Sequence, residues 1–250
     1  MKIVIWDAGH GGKDPGASGN GLLEKDVVLQ IATEAARQLE QQYEGVKSIL
    51  TRNTDVFLEL QQRTTIANNA KADALISIHC NAGGGQGGFE SFIYNGAVSD
   101  ETVRFQQCLH TAILNKLQPY GIYNRGTKRA NLHMCRDSHM PAVLTENLFI
   151  DVASDAARLK QPNVIQTMIE GHMEGVANYL QLQRKKKEQP EPAPAPPQKK
   201  NTPLYVNGVH VTDALIIDGI SYAPVRSLAE SLHAEVHWEA AKQQIHISKK

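Results

Sequence analysis

The amino-acid sequence predicts an α/β fold over residues 1–183, a linker over residues 184–203 and a small α+β module over residues 204–250. Short apolar runs typical of buried strands alternate with segments whose apolar residues recur at helical spacing, and this alternation predicts the α/β part. The composition then changes abruptly to proline and lysine, which is typical of a semi-rigid linker. Beyond the linker, short apolar runs and turn residues return, and they predict the second module.

The first two apolar runs end in side chains that can do chemistry. Residues 3–6 form a buried-strand pattern that ends at Asp7 and a glycine-dense turn carrying His10. Residues 74–78 form a second such run, and it ends at His79. In open α/β sheets, functional side chains collect just past the carboxyl ends of the strands. Because a neutral imidazole is a metal ligand, we expect the two histidines to face one shared site.

Further helices and strands complete the α/β part. Apolar residues at helical spacing predict the helices, and short apolar or β-branched runs predict the strands. The predicted helices cover residues 25–43, 58–70, 101–117 and 161–183. The predicted strands cover residues 47–52, 90–94, 132–135 and 142–144. The segment that begins at Arg125 is interpreted as less regular.

Three charged residues in these elements each have two interpretations. Glu24 precedes the first helix, where a carboxylate either interacts with the helix dipole or faces back towards His10 as a ligand. Glu146 follows the run at 142–144, at the same strand-end position as the histidines, and is either a salt-bridged surface carboxylate or a functional one. Arg63 is either a solvated charge or a buried clamp on a carboxylate.

Composition argues against several classes of protein. Hydrophobic residues make up 41% of the chain and charged residues 21%, which predicts a packed core. The formal net charge is +0, so we do not expect the chain to bind nucleic acid. The cysteines form no CxxC pair, which argues against a disulfide framework or a cysteine zinc site. The sequence has no apolar stretch of membrane-spanning length and no signal peptide, so we expect synthesis in the cytosol.

The module at residues 204–250 is predicted from turn signals. Asn207–Gly208 and Asp218–Gly219 lie between apolar residues and indicate two hairpins. A short helix is predicted at residues 226–233, and closing strands are predicted at 235–238 and 245–248. A module of about 50 residues lies close to the lower size limit for independent folding.

His10, Glu24 and His79 form a set of two imidazoles and one carboxylate. Such a set suits catalytic zinc, which keeps a fourth position open for water. A separate carboxylate is then needed to move protons, and Glu146 fits that role. Spacing alone does not settle the site, because the three ligands are far apart in sequence and two other histidines are rival ligands, His133 and His139.

The residues around this set resemble the motifs of zinc-dependent N-acetylmuramoyl-L-alanine amidases. The resemblance covers about residues 1 to 182 and rests on seven motifs in order, at Asp7–Ala17, Glu24–Asp26, Thr51–Arg52, Arg63 with Ala67–Asn68, Ser77–Ala82, Arg125–Gly126 and Met140–Glu146. It implies one zinc ion held by His10, Glu24 and His79, and an essential glutamate at Glu146. It also implies a twisted, mostly parallel sheet flanked by helices.

The activity implied by this resemblance is hydrolysis of the peptidoglycan amide that joins muramic acid to the L-alanine of the stem peptide. Two alternatives are a non-catalytic wall-binding protein and a zinc peptidase that acts on the stem peptide. The family usually follows its glutamate with a small residue, often glycine, and then an aromatic one. Here Glu146 is followed by Asn147, Leu148 and Phe149, so we expect a differently shaped groove beside an unchanged catalytic position.

Residues 204–250 resemble the small amino-terminal domain of copper amine oxidases, through Val206–Gly208, Tyr222–Arg226, Leu228–Glu230 and Val236–Trp238. We do not expect copper, because the histidines of this segment form no convincing ligand cluster. Cell-wall attachment is the expected role, and a spacing or folding role is the alternative. We expect a monomer without nucleic-acid or membrane partners that reaches the wall after lysis, as a phage endolysin or as an autolysin freed from a mother cell.

Overall fold

The computed structural model describes residues 1–185, 200–217, 219–240 and 242–249. The chain divides into two compact units, Met1–Lys185 and Lys186–Lys250, and each is described by itself. Most of the predicted linker, and Asp218 of the second predicted hairpin, lie outside the described residues. Within the described ranges, no helix is both long enough and apolar enough to cross a membrane.

Strands and helices alternate through the first unit, as the apolar patterns predict. The strands are β1 (Lys2–Ala8), β2 (Ser18–Gly19), β3 (Leu22–Leu23), β4 (Val46–Leu50), β5 (Ala74–Asn81), β6 (Phe89–Tyr94), β7 (Asn124–Ala130) and β8 (Ala142–Phe149). The helices are α1 (Glu24–Gln42), α2 (Leu60–Asn69), α3 (Asp100–Leu117), α4 (His133–Arg136), α5 (Ala153–Leu159) and α6 (Pro162–Leu180). A single 3-10 turn, Gln118–Tyr120, follows α3.

Six strands form the central sheet, in the order β4-β1-β5-β8-β6-β7. The first four of these run parallel to one another, β6 runs antiparallel to β8, and β7 runs parallel to β6. The α/β class and the mostly parallel sheet are therefore confirmed. Because β1, β5 and β8 are parallel neighbours, their carboxyl ends meet at one edge of the sheet.

Helices cover both faces of this sheet. On one face, Trp6 of β1 packs in a fully buried cluster with Ile31 of α1 and Leu109 of α3, and α6 contributes to the same cluster. On the other face, Ile5 and Leu75 pack with residues of α2 and α4. Neighbouring residues of a strand point to opposite faces, so a strand that is apolar at every position requires cover on both sides.

Two local predictions are wrong. Residues 132–135, predicted as a strand, lead into the single helical turn α4, in which the consecutive residues Met134 and Cys135 are both buried. Over four residues, a mixture of apolar and polar side chains fits the alternation of a strand as well as it fits one turn of helix. The segment from Arg125, interpreted as irregular, is strand β7. Because β7 is the last strand of the sheet and none of its residues is fully buried, it lacks the apolar run that identifies an inner strand.

The second unit is an α+β module within its described residues. It contains β9 (Lys200–Val206), β10 (Val209–Ile217), β11 (Ile220–Tyr222), α7 (Val225–Ser231), β12 (Ala234–Glu239) and β13 (Gln244–Lys249). β9, β10 and β11 form one antiparallel sheet, and β12 and β13 form a second. The hairpin predicted at Asn207–Gly208 joins β9 to β10, with φ angles of 52° and 82° at its two turn residues. β9 begins at Lys200, inside the predicted linker.

Candidate metal centre and active site

The three side chains predicted as metal ligands converge at the carboxyl edge of the central sheet. Nε2 of His10 lies 3.0 Å from Oε1 of Glu24, and Nδ1 of His79 lies 2.9 Å from the same oxygen. One ligand atom from each of the three side chains lies within 4.8 Å of the other two. We call these residues the metal centre. Their placement suits a shared divalent cation, and their role as ligands stays a prediction.

The loop after β1 holds His10 in an uncommon backbone conformation. Its φ is 59°, in the left-handed region that few non-glycine residues adopt. Arg63 Nη2 donates a hydrogen bond of 2.5 Å to the His10 carbonyl, and Asp14 Oδ2 lies 2.8 Å from His10 Nδ1. A Cβ atom at Gly9 would lie 2.3 Å from the ring of His79. The glycine-dense turn is therefore required for the two imidazoles to approach each other.

Glu24 begins α1, where its carboxylate suits the helix dipole, and its side chain also faces His10 and His79. Its role as a metal ligand stays a prediction. Its side chain is almost completely buried, and the backbone N–H groups of Ala17 and Cys80 donate to its two oxygens at 2.7 and 3.0 Å. Burial opposes the charged form, but hydrogen bonds from His10 and His79 outweigh burial and hold the pKa of Glu24 well below its usual range. This carboxylate is therefore ionised, as a metal ligand must be.

Glu146 lies on β8 as the register partner of His79 on β5. Its Oε2 atom is buried and has no hydrogen-bond partner among the residues that the structure describes. Burial, with the negative charges of Glu24 and Glu90, outweighs the lowering effect of His79 and raises the pKa of Glu146 to about 7. A carboxyl group with this pKa can both accept and donate a proton near neutral pH.

A cluster of opposite charges follows Glu146 in the same row across the sheet. Glu90 of β6 is the register partner of Glu146 and is 3% exposed. Arg125 Nε donates to Glu90 Oε2 at 2.9 Å, and the Lys128 ammonium contacts the same oxygen. Asn81 donates to the other oxygen at 2.6 Å. We call Glu90, Arg125 and Lys128 the basic cluster, because its two cations share a single carboxylate.

A cavity of about 360 Å³ opens on the other side of the metal centre. His10 and His79 line it together with Arg63 and the apolar side chains of Phe57 and Leu58. The carboxyl edge of the sheet therefore carries a continuous row: the cavity, the metal centre, Glu146 and the basic cluster.

Arg63 is a buried clamp rather than a solvated charge. Its side chain is 3% exposed and its Nη1 lies 3.0 Å from Oδ1 of Asp7, which is equally buried. The hydroxyl groups of Ser77 and Thr51 also donate to Asp7, at 2.6 and 2.7 Å. Burial raises the pKa of Asp7, but Arg63 and the two hydroxyl groups outweigh it and leave the pKa below its ordinary value.

The rival histidines are not part of the metal centre. His133 pairs with Asp137 at 2.8 Å, and His139 lines a separate cavity beside α2. Two functional candidates were not predicted from the sequence, Asp14 and Glu90. Asp14 follows His10 by four residues within the same glycine-dense turn, which was the available signal. Glu90 is the second residue of the short strand β6, and nothing in the local sequence indicates its contacts.

Comparison with known families gives two matches. The family model for N-acetylmuramoyl-L-alanine amidase matches residues 3–178, which is most of the first unit. The model for the copper amine oxidase N-terminal domain matches residues 205–250. Both resemblances noted in the sequence are confirmed.

Known relatives agree with the first match. The endolysin of Bacillus phage SPP1 is 45% identical over 208 residues, covering 82% of this chain and 76% of that protein. The sporulation-specific N-acetylmuramoyl-L-alanine amidase of Bacillus subtilis (strain 168) is 46% identical over 184 residues, covering 74% and 70%. The catalytic domain of CwlV, an N-acetylmuramoyl-L-alanine amidase from Bacillus (Paenibacillus) polymyxa var. colistinus, has a TM-score of 0.68 and 33% identity, covering 73% and 100%. This chain therefore belongs to the N-acetylmuramoyl-L-alanine amidase family.

Proposed function

We propose that this chain hydrolyses the amide bond between N-acetylmuramic acid and L-alanine in peptidoglycan, with one zinc ion as its cofactor. Family membership supports the activity. The observation that carries the proposed mechanism is the convergence of His10, Glu24 and His79 next to an unpartnered carboxyl oxygen of Glu146.

The donor atoms of the metal centre fit zinc. Two imidazole nitrogens and one carboxylate oxygen are the ligands of many catalytic zinc sites, which leave a further position for water or substrate. The Glu24 carboxylate is already ionised, and Asp14 hydrogen-bonds the outer nitrogen of His10. Such an outer carboxylate fixes the ring orientation and raises the basicity of a ligating histidine.

Bound zinc supplies Lewis-acid polarisation of the substrate carbonyl and makes water nucleophilic at neutral pH. The protein supplies the proton transfers. In its ionised form, Glu146 accepts a proton from the attacking water; in its protonated form, it donates a proton to the leaving amine of L-alanine. The free Oε2 atom is available for both steps, because no other described residue engages it. Glu90, a neighbouring buried carboxylate, helps to keep the pKa of Glu146 near neutrality.

Substitution of Glu146 by Gln tests this mechanism. The variant should bind zinc as the wild type does, measured by elemental analysis, and lose at least about 100-fold in turnover. The exposed Glu44 provides a matched control, since Glu44→Gln should keep full activity. Near-normal turnover by the Glu146 variant would remove this residue from the mechanism.

Product analysis decides between the activities. An amidase releases stem peptides that begin with a free L-alanine amine, which mass spectrometry identifies. Products cut within the stem peptide would indicate a zinc peptidase, and no product would indicate a non-catalytic wall-binding protein. Removal of metal by a chelator should abolish the reaction, and added zinc should restore it.

Residues 1–183 are the proposed catalytic domain, and residues 204–250 the proposed wall-attachment domain. The second unit exposes aromatic side chains suited to contact with a polymer, among them Tyr222 and Trp238, each 51% exposed. Replacing both by Ala should weaken sedimentation of the chain with purified cell walls while leaving hydrolysis of a soluble muramyl peptide unchanged.

We further propose that the chain is a monomer, and that it reaches the wall through lysis by a phage or through lysis of a mother cell. Light scattering tests whether the chain is a monomer.

A further inference from the structure

The metal centre and Glu146, which would act on the amide, have different neighbours on their two sides. The cavity lies on one side and the basic cluster on the other. Glu146 on β8 lies between His79 of the metal centre, on β5, and the basic cluster on β6 and β7. A substrate that spans the site therefore places one of its two halves over the basic cluster. The two halves of a muramyl peptide differ in chemistry, because the peptide half carries carboxylates and the sugar half is a largely uncharged glycan.

The basic cluster carries a net positive charge. Its two cations share one carboxylate, so the cluster has a net charge of about +1. The side chains of Arg125 and Lys128 are 27% and 38% exposed, whereas Glu90 lies beneath them at 3%. The carboxylate thus holds both cations from below and leaves their outer sides open to a ligand.

The guanidinium of Arg125 is already oriented for this role. Its Nε donates to Glu90, its Nη1 donates to the Gly87 carbonyl at 3.3 Å, and its Cζ lies 4.6 Å from the ring centroid of Phe149. Among the described residues, its Nη2 makes no hydrogen bond. A guanidinium fixed on three sides loses little further entropy when it binds a carboxylate, which it recognises with directed N–H groups.

We propose that Arg125 and Lys128 bind a carboxylate of the stem peptide, on the carboxyl side of the L-alanine that is released, and so determine both the direction in which the substrate lies and a preference for acidic stem peptides. This inference rests on the proposed amidase activity and names the peptide half of its substrate.

Two soluble substrates test the inference. Both are muramyl-L-alanyl peptides, and they differ only at the residue after L-alanine, which carries a free carboxylate in one and a carboxamide in the other. The measured quantity is the ratio of kcat/KM for the acid to kcat/KM for the amide. This ratio cancels changes in the chemical step, because both substrates share the same scissile bond. The wild type should prefer the acid by about 10- to 100-fold, the range expected for a hydrogen bond to a charged group.

Variants of the cluster should move this ratio in opposite directions. Arg125→Gln and Lys128→Gln each remove a cation and should bring the ratio towards one, chiefly by raising KM for the acid. Glu90→Gln removes the shared negative charge and should raise the ratio above that of the wild type. Folding of each variant is checked by its thermal transition. Only the ratio is compared between variants, because Glu90 also influences the pKa of Glu146 and a change in the chemical step cancels in the ratio.

Two exposed cations serve as controls. Beyond the bulge in the β6–β7 pairing, Arg129 follows Lys128 directly and is exposed, so strand alternation points it to the face opposite Lys128, and Arg129→Gln should leave the ratio unchanged. Lys13 lies over the ring of Phe57 at the cavity end of the row. If Lys13→Gln lowers the ratio and the Arg125 variant does not, the peptide lies in the opposite direction and the inference is wrong. Equal ratios for the wild type and all variants would also overturn it, while hydrolysis of neither substrate by the wild type would overturn the proposed function instead.

Discussion

Arg63 offers the sharpest test of how the fold supports the metal centre. Its guanidinium donates to the Asp7 carboxylate at 3.0 Å and to the carbonyls of Ala8 and His10 at 2.5 Å each. We consider Arg63→Met, which preserves much of the side-chain volume but removes every donor. Asp7 is then a carboxylate that is 1% exposed and has no cationic partner. Breaking one side of a buried ion pair costs about 3 to 5 kcal/mol in the free energy of unfolding.

The pH dependence of this loss has a definite sign. In the wild type the pKa of Asp7 is below its ordinary value of 3.8, so its stabilising contribution is present above that pH and is lost as the pH falls further. Without Arg63, burial dominates and raises the pKa of Asp7. Protonation of Asp7 therefore removes the buried charge, and with it part of the destabilisation of the variant, as the pH falls. The difference in stability between wild type and Arg63→Met should therefore shrink as the pH falls from 7 to about 4.

Urea denaturation followed by the fluorescence of Trp6 measures this effect. Trp6 is fully buried in the first unit, and Trp238, the other tryptophan, is replaced by Phe in all variants so that the signal reports the first unit. The double variant Asp7→Asn with Arg63→Met removes the orphaned charge and should recover about half of the loss. Arg37→Met, in an exposed pair with Glu34, should leave the midpoint unchanged. Equal stability of the single and double variants would refute the reasoning.

Three further predictions concern other parts of the first unit. Leu148 is fully buried at a φ of 68°, so Leu148→Gly should be more stable than Leu148→Ala by about 1 kcal/mol, the reverse of the usual order, and both should be less stable than the wild type by urea denaturation. Burial lowers the pKa of His172 from 6.5 to about 4, so the free energy of unfolding should fall by roughly 3 kcal/mol as the pH drops from above 6.5 to 4. The free energy of unfolding of His172→Gln, measured over the same pH range, should not show this fall. Glu24→Gln should weaken zinc binding by more than about 100-fold in a chelator competition, whereas His139→Gln should not change it.

The sequence was sufficient to predict that His10, His79 and Glu146 lie close together, because each follows a recognisable apolar run; their roles stay predictions. His10 and His79 follow long apolar runs, so the rule for parallel sheets places them at one edge without further information. Glu146 follows the recognisable run of β8 in the same way. The fold class could be predicted for the same reason, because inner parallel strands are apolar at nearly every position.

The basic cluster could not be predicted from local pattern. Glu90 and Arg125 are 35 residues apart and lie on β6 and β7, whose pairing is interrupted by a bulge between Phe89 and Ser91. A bulge changes which side chains share a face, so alternation alone does not reveal the contact. The burial of Arg63 likewise could not be predicted from local sequence, because its partner Asp7 lies 56 residues earlier in the chain. Such pairs depend on tertiary packing rather than on periodicity.

The position of β7 has a consequence for the behaviour of the protein in solution. It is the outermost strand of the sheet, and no strand of the described residues pairs with its outer side. An open strand of this kind is a template on which another polypeptide can add by backbone hydrogen bonding, which is a common route to aggregation. The sequence of β7, with three cationic side chains and one glycine in seven residues, opposes such addition by mutual repulsion between like-charged edges. Neutralising Arg125, Lys128 and Arg129 together should therefore promote self-association at high protein concentration.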